Sequence, residues 1–296
     1  MSPATNKDDF RITELFNVQG KTALVTGGGS GIGLMATQAL AVNGAKVYIV
    51  GRTKEKLDQV VKVHGQGISG QIIPIVADVS NKAGIQQLYS QIESAEPHLD
   101  ILVNNAGIAP SNKEKVPEDK AHGETLKKYL LDEARVDEWT AIYTTNVVSP
   151  YLMSSAFLPL LERATECTPG WSGTIINITS ISGLVRVSQG HFSYNTSKGA
   201  FVHLTRMLAT EIANSGLKIR VNAIAPGVFP SEMTTKEESG PDQKSYIPKD
   251  RYGWTPAERP GNDRDMATAV LFAASCQYLN GQNIPVDGGY LVAVGQ

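Results

Sequence analysis

Between residues 27 and 33 the chain reads Gly-Gly-Gly-Ser-Gly-Ile-Gly. An apolar run of strand character, residues 21–26 (KTALVT), comes directly before it. A stretch with helical spacing at Leu34, Ala36, Leu40 and Ala41 comes directly after it, and Asn43-Gly44 stops that helix. Strand, glycine turn and helix start in this order leave few folds open. The helix N-terminus offers unpaired N–H groups and the positive end of a dipole, and glycines let backbone pack against a ligand. Together they make a cradle for the pyrophosphate of a dinucleotide. The candidate contacts are Thr26, Gly27, Gly29, Ser30, Gly31, Ile32 and Gly33. The spacing is Gly-x-x-x-Gly-x-Gly, and no Walker lysine follows, which argues against a nucleoside triphosphatase. A plain tight turn is the competing reading at this point.

The strand signal then recurs. Residues 46–50 (KVYIV), 71–76 (QIIPIV), 99–103 (LDILV), 173–178 (GTIINI), 219–224 (IRVNAI) and 284–286 are short apolar runs. Helical patterns fall between them at 55–63, from a Ser80-Asn81 cap to about 94, and at 137–161, 192–215 and 263–274. Pro74 gives the third strand an edge-like path, and Pro150 and Pro159 are positioned to kink the helix over 137–161. Alternation of this kind predicts an α/β, Rossmann-like, doubly wound three-layer fold around a central, mostly parallel, seven-stranded sheet. Residues 21–296 read as one domain, preceded by a polar N-terminal extension over 1–20. Residues 108–136 contain KEKVPEDK and no steady period, and read as a surface insertion with a short helix near 124–133. Residues 229–260, rich in Pro, Gly, Ser and charge, read as a lid over a site.

The residue at the end of the second strand selects a dinucleotide. An acid there would accept a bond from the ribose 2′-hydroxyl of NAD. Here the chain has Gly51-Arg52-Thr53 and no acid, and a guanidinium fork suits a 2′-phosphate, so NADP(H) is the expected cofactor. Asp78 and Val79 follow the third strand, where an acid can meet an adenine amine. Asn105, Ala106 and Gly107 follow the fourth, where small residues let the chain pass close to a cofactor.

Tyr194 and Lys198 lie four apart in a helical stretch and so share a face. A cation ~4 Å from a phenol favours the phenolate by roughly 4 kcal/mol at an effective dielectric of 20. That is enough to bring the tyrosine near working pH, where it can give a proton to a carbonyl oxygen or take one from an alcohol. Ser180 stands at the carboxyl end of the fifth strand, where open sheets bind ligands, and its hydroxyl can bond a carbonyl oxygen. The residue two before it is Ile178, so the Gly-x-Ser-x-Gly elbow of hydrolases is absent. Asn146, in a mostly apolar helix, needs partners for its amide. It either bridges two helices or binds a water near Lys198.

The 27 basic and 29 acidic residues leave a formal charge of −2, with no basic block, which argues against nucleic acid as the main partner. Two cysteines, far apart, favour a reducing compartment. No histidine or cysteine spacing indicates a metal. No apolar run is long enough to span a membrane, and residues 1–20 lack the apolar core of a signal peptide, so a cytoplasmic location is expected.

Taken in order, Thr26-Gly27-x-x-x-Gly31-x-Gly33, Asn104-Asn105-Ala106-Gly107, Ser180, Tyr194-x-x-x-Lys198, Pro226-Gly227 and Asp287-Gly288-Gly289 resemble the short-chain dehydrogenases/reductases, over about 21–290. The resemblance implies a catalytic tetrad of Asn146, Ser180, Tyr194 and Lys198. In it Tyr194 is the acid/base, Ser180 positions the carbonyl, Lys198 lowers the tyrosine pKa and bonds the nicotinamide ribose, and Asn146 holds a water. It also implies that Pro226, Gly227, the backbone of Val228, and Ser231 lie against the nicotinamide. The substrate would be a small-molecule carbonyl or alcohol, and the assembly a homodimer or homotetramer. Residues 228–233 (VFPSEM) are similar to the rhamnolipid-type 3-oxoacyl reductases of that family. A non-catalytic cofactor sensor, or a cofactor-bound enzyme of cyclisation or isomerisation, would share the fold.

Overall fold

The computed structural model describes residues 6–110, 122–132, 134–248 and 255–295. In chain order its first half contains α1 (Ile12–Leu15), β1 (Thr22–Thr26), α2 (Gly31–Val42), β2 (Lys46–Gly51), α3 (Lys54–His64), β3 (Gln71–Val76), α4 (Lys82–Ala95) and β4 (Ile101–Asn104). Then follow α5 (Gly123–Lys127), α6 (Val136–Tyr143), α7 (Ser149–Cys167), β5 (Thr174–Ile178), α8 (Phe192–Asn214), β6 (Arg220–Pro226), α9 (Glu232–Thr235), α10 (Asp263–Ser275), β7 (Asn283–Val286) and α11 (Tyr290–Val294). The seven strands form one sheet in the order β3-β2-β1-β4-β5-β6-β7. Every pairing in it is parallel. The chain runs outward from β1 to β3, returns, and runs the other way from β4. Its direction therefore reverses between β1 and β4, and a crevice opens at their carboxyl ends.

A parallel sheet is covered on both faces, so its inner strands have no polar side. Accordingly β1, β4, β5 and β6 are buried at every position. Helices α2, α3 and α10 close one face, and α4, α7 and α8 close the other. Leu40 of α2 and Phe157 of α7 are fully buried, each stabilising the fold by about 1.5–3 kcal/mol. Pro74 sits opposite Ile49 in the outermost strand, where its missing N–H costs no interior ladder bond.

The helix expected over 137–161 is in fact three pieces. Between α6 and α7 the chain widens into a π-turn over Thr144–Val148. Pro150 has no N–H to give the carbonyl of Asn146, four residues back, and its ring crowds that carbonyl. The wider turn places Pro150 in the first turn of α7, where no donor is needed. Pro159 lies inside α7, which continues to Cys167. In the 108–136 stretch, α5 is followed by a π-turn over Lys128–Asp132, while KEKVPEDK and residue 133 lie outside the described residues, as do 1–5 and residues 249–254 of the 229–260 stretch.

The amino ends of the strands are fastened by charge. Asp100, fully buried, accepts from the Thr22 amide at 2.8 Å, and the Lys21 ammonium stands 3.2 Å away. Lys21 also lies over the Trp171 ring, 4.1 Å from its centroid. Beside it Glu96 accepts from the Tyr48 hydroxyl at 2.5 Å and from Lys46 at 2.9 Å. Among the described residues no helix is long and apolar enough to cross a membrane, and no three His, Cys, Asp or Glu side chains gather as metal ligands would.

Candidate active site

At the carboxyl end of the sheet Thr26 joins β1 to the segment after β4. Its hydroxyl accepts from the Asn105 amide at 2.9 Å and the Ala106 amide at 3.0 Å, and donates to the Val103 carbonyl at 3.3 Å. Asn105 returns the contact, with Nδ2 donating to the carbonyls of Thr26 at 2.9 Å and Gly27 at 3.1 Å. The turn then folds tightly onto itself. A Cβ on Gly33 would stand 2.0 Å from the Gly27 carbonyl oxygen, so only glycine fits. Gly31 takes a left-handed φ of 51°. Ser30, before α2, makes no side-chain cap bond, and the first amides of α2 have no helical acceptor. Bare backbone, free amides and a helix N-terminus suit a pyrophosphate.

The turn opens into a cleft of about 750 Å³. Gly27, Gly29, Ser30, Gly31, Ile32, Arg52, Thr53, Asp78, Val79, Asn105, Ala106, Gly107, Ser180, Tyr194, Lys198, Pro226, Gly227 and Ser231 all line it. Thr26 and Gly33 lie beneath its wall as the struts just described. Val228 faces a neighbouring cavity of about 130 Å³, and its carbonyl accepts from the Gly261 amide at 2.9 Å. Asp78 is turned toward the start of α4, accepting from the Ser80 amide at 2.9 Å and from Asn81 Nδ2 at 3.0 Å. The Ser80 amide holds its carboxyl below the ordinary carboxylate range. Arg52 is exposed at the end of β2.

Ser180 begins the turn after β5, its hydroxyl accepting from the Ser182 amide at 3.1 Å. Tyr194 lines the same cleft wall as that hydroxyl. Lys198 is buried, and its ammonium donates to the Ile178 carbonyl at 2.9 Å. The same nitrogen is 5.7 Å from the Tyr194 ring centroid. The two side chains therefore share one face, as the i, i+4 spacing predicts, and the Ile178 carbonyl ties the ammonium to β5. Burial decides both titrations. It pushes the Tyr194 phenol up to about 12, against the opposing influence of the Ser180 hydroxyl, and pulls Lys198 down to about 8.

Asn146 lies off the cleft wall, in the π-turn. Its amide bonds both backbone groups of Ile108 at 2.9 Å, and Nδ2 reaches Ser197 Oγ of α8 at 3.1 Å. Of the two roles considered, the bridging one accounts for these bonds. Gly107 lies between Asn146 and Lys198: a Cβ there would be 3.1 Å from Asn146 Oδ1 and 3.7 Å from Lys198 Nζ. Below them Asn104 Nδ2 donates to Ser154 at 3.0 Å and to Asn177 Oδ1 at 2.9 Å, and Asn177 donates to Thr205 at 3.0 Å. This buried chain fixes α7 and α8 to the sheet.

With this geometry in view, comparison with known proteins is decisive. The short chain dehydrogenase family profile matches residues 21–242. The chain belongs to the short-chain dehydrogenase family. It is an oxidoreductase of that broad class, whose chemistry is hydride transfer. This short-chain dehydrogenase is 37% identical over 284 residues to the short-chain dehydrogenase/reductase PhomF of Diaporthe leptostromiformis, covering 94% of each chain. It is 35% identical over 280 residues to the rhamnolipids biosynthesis 3-oxoacyl-[acyl-carrier-protein] reductase of Pseudomonas aeruginosa, covering 93% of this chain and 98% of that one. Among solved structures, the Pseudomonas aeruginosa RhlG/NADP active-site complex superposes with a TM-score of 0.77 at 32% identity, covering 93% and 98% of the two chains.

The short-chain dehydrogenase cleft also holds residues that sequence reasoning passed over. Lys56, Glu232, Thr144, Thr145, Met233 and Phe229 line it. One of them had a visible signal: Lys56 is a second cation four residues after Arg52. Glu232 did not, since its partner is 176 residues away.

Proposed function

We propose that this short-chain dehydrogenase is an NADP(H)-dependent oxidoreductase interconverting a carbonyl and a secondary alcohol, with Tyr194 as proton donor and acceptor. The observation that carries the reading is that Ser180, Tyr194 and buried Lys198 come together on the wall of the cleft the glycine turn opens. The structural likeness to an NADP complex supports the cofactor, as does Arg52 where an NAD-binding acid would stand. Bound there, the cofactor supplies or accepts the hydride.

The chain's own residues then manage the proton. Ser180 holds the substrate oxygen, and Tyr194, with its phenol kept protonated by burial, is ready to donate as a carbonyl is reduced. Lys198 is largely charged at neutral pH, and its ammonium stands 5.7 Å from the centre of the Tyr194 ring. Asn146 Oδ1 keeps one lone pair free beside Gly107 and Lys198, where a water would continue the proton path to solvent. Residues 229–260 serve as the lid, and Ser231 already packs on Gly31, its Cβ 2.8 Å from where a Gly31 Cβ would be. We place the enzyme in the cytoplasm, as a dimer or tetramer assembled through the helices carrying Asn146 and Tyr194.

Tyr194→Phe tests the reading. Turnover of a ketone substrate should fall by about 10²–10⁴, while calorimetry shows NADP+ binding retained. Full turnover in the variant would remove Tyr194 from the mechanism.

A further inference from the structure

Past the end of β2 the cleft wall carries two cations. Arg52 directly follows the strand, and Lys56 stands in the first turn of α3. They are held differently. Among the described residues Arg52 makes no ion pair, whereas the Lys56 ammonium lies 2.7 and 2.9 Å from the two carboxylate oxygens of Glu232. Glu232 opens α9, across the cleft, and its Oε1 also accepts from the Ser239 amide at 3.0 Å. The pair is open to competition: 36% of the lysine side chain and 31% of the glutamate side chain remain exposed.

Two other bonds hold the same segment to α3. Gln59 Nε2 donates to the Pro241 carbonyl at 2.8 Å. His64 Nε2 donates to the Asp242 carbonyl at 2.7 Å, its other ring nitrogen accepting from Gln38 at 3.0 Å. The lid segment therefore stays attached when the Lys56–Glu232 contact is broken.

The local charges are Arg52 and Lys56, positive, and Asp78 and Glu232, negative; Asp78 acts across space on Arg52, and Glu232 is the carboxylate that holds Lys56. A phosphomonoester at the end of β2 brings about two negative charges at neutral pH. It attracts both cations and repels the carboxylate. We propose that Lys56 is a second specificity residue for a phosphate-bearing cofactor, with Glu232 as its competing counter-ion. Phosphate at the end of β2 draws Lys56 away from Glu232 and frees the lid's carboxylate from α3. This rests on the NADP(H) reading above, and it makes a prediction of unusual sign. A purely structural clasp, once broken, weakens every cofactor alike. A competing counter-ion, once neutralised, strengthens binding of the phosphate-bearing cofactor alone.

The experiment is calorimetric titration of the full chain with NADP+ and with NAD+, for the wild type, Lys56→Met and Glu232→Gln. Lys56→Met should weaken NADP+ about tenfold or more and NAD+ less than about twofold. Glu232→Gln should tighten NADP+ by about three- to tenfold and leave NAD+ unchanged, with the gain shrinking as salt is added. Glu232→Gln that weakens NADP+, or Lys56→Met that weakens both cofactors equally, overturns the proposal and leaves a structural strap. A wild type that prefers NAD+ overturns the cofactor reading itself. A wild type that prefers NADP+ with both variants at parity overturns only the role of Lys56 and Glu232. Circular dichroism reports folding, and if one variant fails to fold the other decides by the same criteria.

Discussion

The side chain of Asn146 pairs with both backbone groups of Ile108: the Ile108 N–H donates to Oδ1 at 2.9 Å, and Nδ2 donates to the Ile108 carbonyl at 2.9 Å. With its third bond, to Ser197 of α8, one amide ties the segment after β4, the π-turn and the helix of Tyr194 together. Asn146→Ala leaves those groups without partners, and each unmade bond costs about 1–3 kcal/mol. The variant should lose about 2–4 kcal/mol in urea unfolding. Its turnover should fall more than its cofactor affinity, because Ile108 lines the cleft and Ser197 directly precedes Lys198 in α8.

Thr26→Val removes the acceptor of the Asn105 and Ala106 amides while keeping the side chain's shape. A stability loss of about 2–4 kcal/mol is expected by denaturant titration. NADP+ affinity should fall with it, since these bonds hold the mouth between β1 and β4. Thr26→Ser keeps the hydroxyl and should recover most of both.

Burial lowers Lys198 from 10.5 to about 8. Between those values the unfolded chain holds the proton and the native state does not. The cost of burying this charge is thus full below pH 8 and fades as pH rises through the window. Wild-type stability should gain about 2 kcal/mol from this group between pH 7.5 and 9.5. Lys198→Met should lack that gain. The check is urea unfolding of both proteins at the two pH values, and equal slopes against pH would refute the assignment.

Arg52→Ala should weaken NADP+ binding about tenfold to a hundredfold and spare NAD+. Arg52→Asp should go further and raise NAD+ affinity, since an acid at the end of β2 can accept from a ribose hydroxyl. Fluorescence titration with both reduced cofactors measures the ratio.

The sheet was legible because its inner strands are buried on both faces and read as short, mostly apolar runs, with few polar residues such as Asn177 and Asn222 inside them. The glycine turn was legible because its backbone geometry excludes side chains, as the 2.0 Å clearance at Gly33 shows. The π-turn at Asn146 was not. Thr-Thr-Asn-Val-Val carries no period that separates a π-turn from an α-helix, and only Pro150 hints at the change. Spacing also placed Tyr194 and Lys198 on one face without saying where the ammonium points. The Ile178 carbonyl, from a strand 20 residues earlier, decides that. The short helices α1, α9 and α11 went unforeseen because four or five residues are too few to show a helical period.

Lys21, Asp100 and Trp171, with Lys46, Tyr48 and Glu96 nearby, sit at the foot of the barrel-less sheet, a full strand length from the cleft. Changes there would shorten the lifetime of the fold without retuning its chemistry. The loops at the opposite pole are correspondingly free to be rebuilt for a new substrate while the anchorage stays untouched.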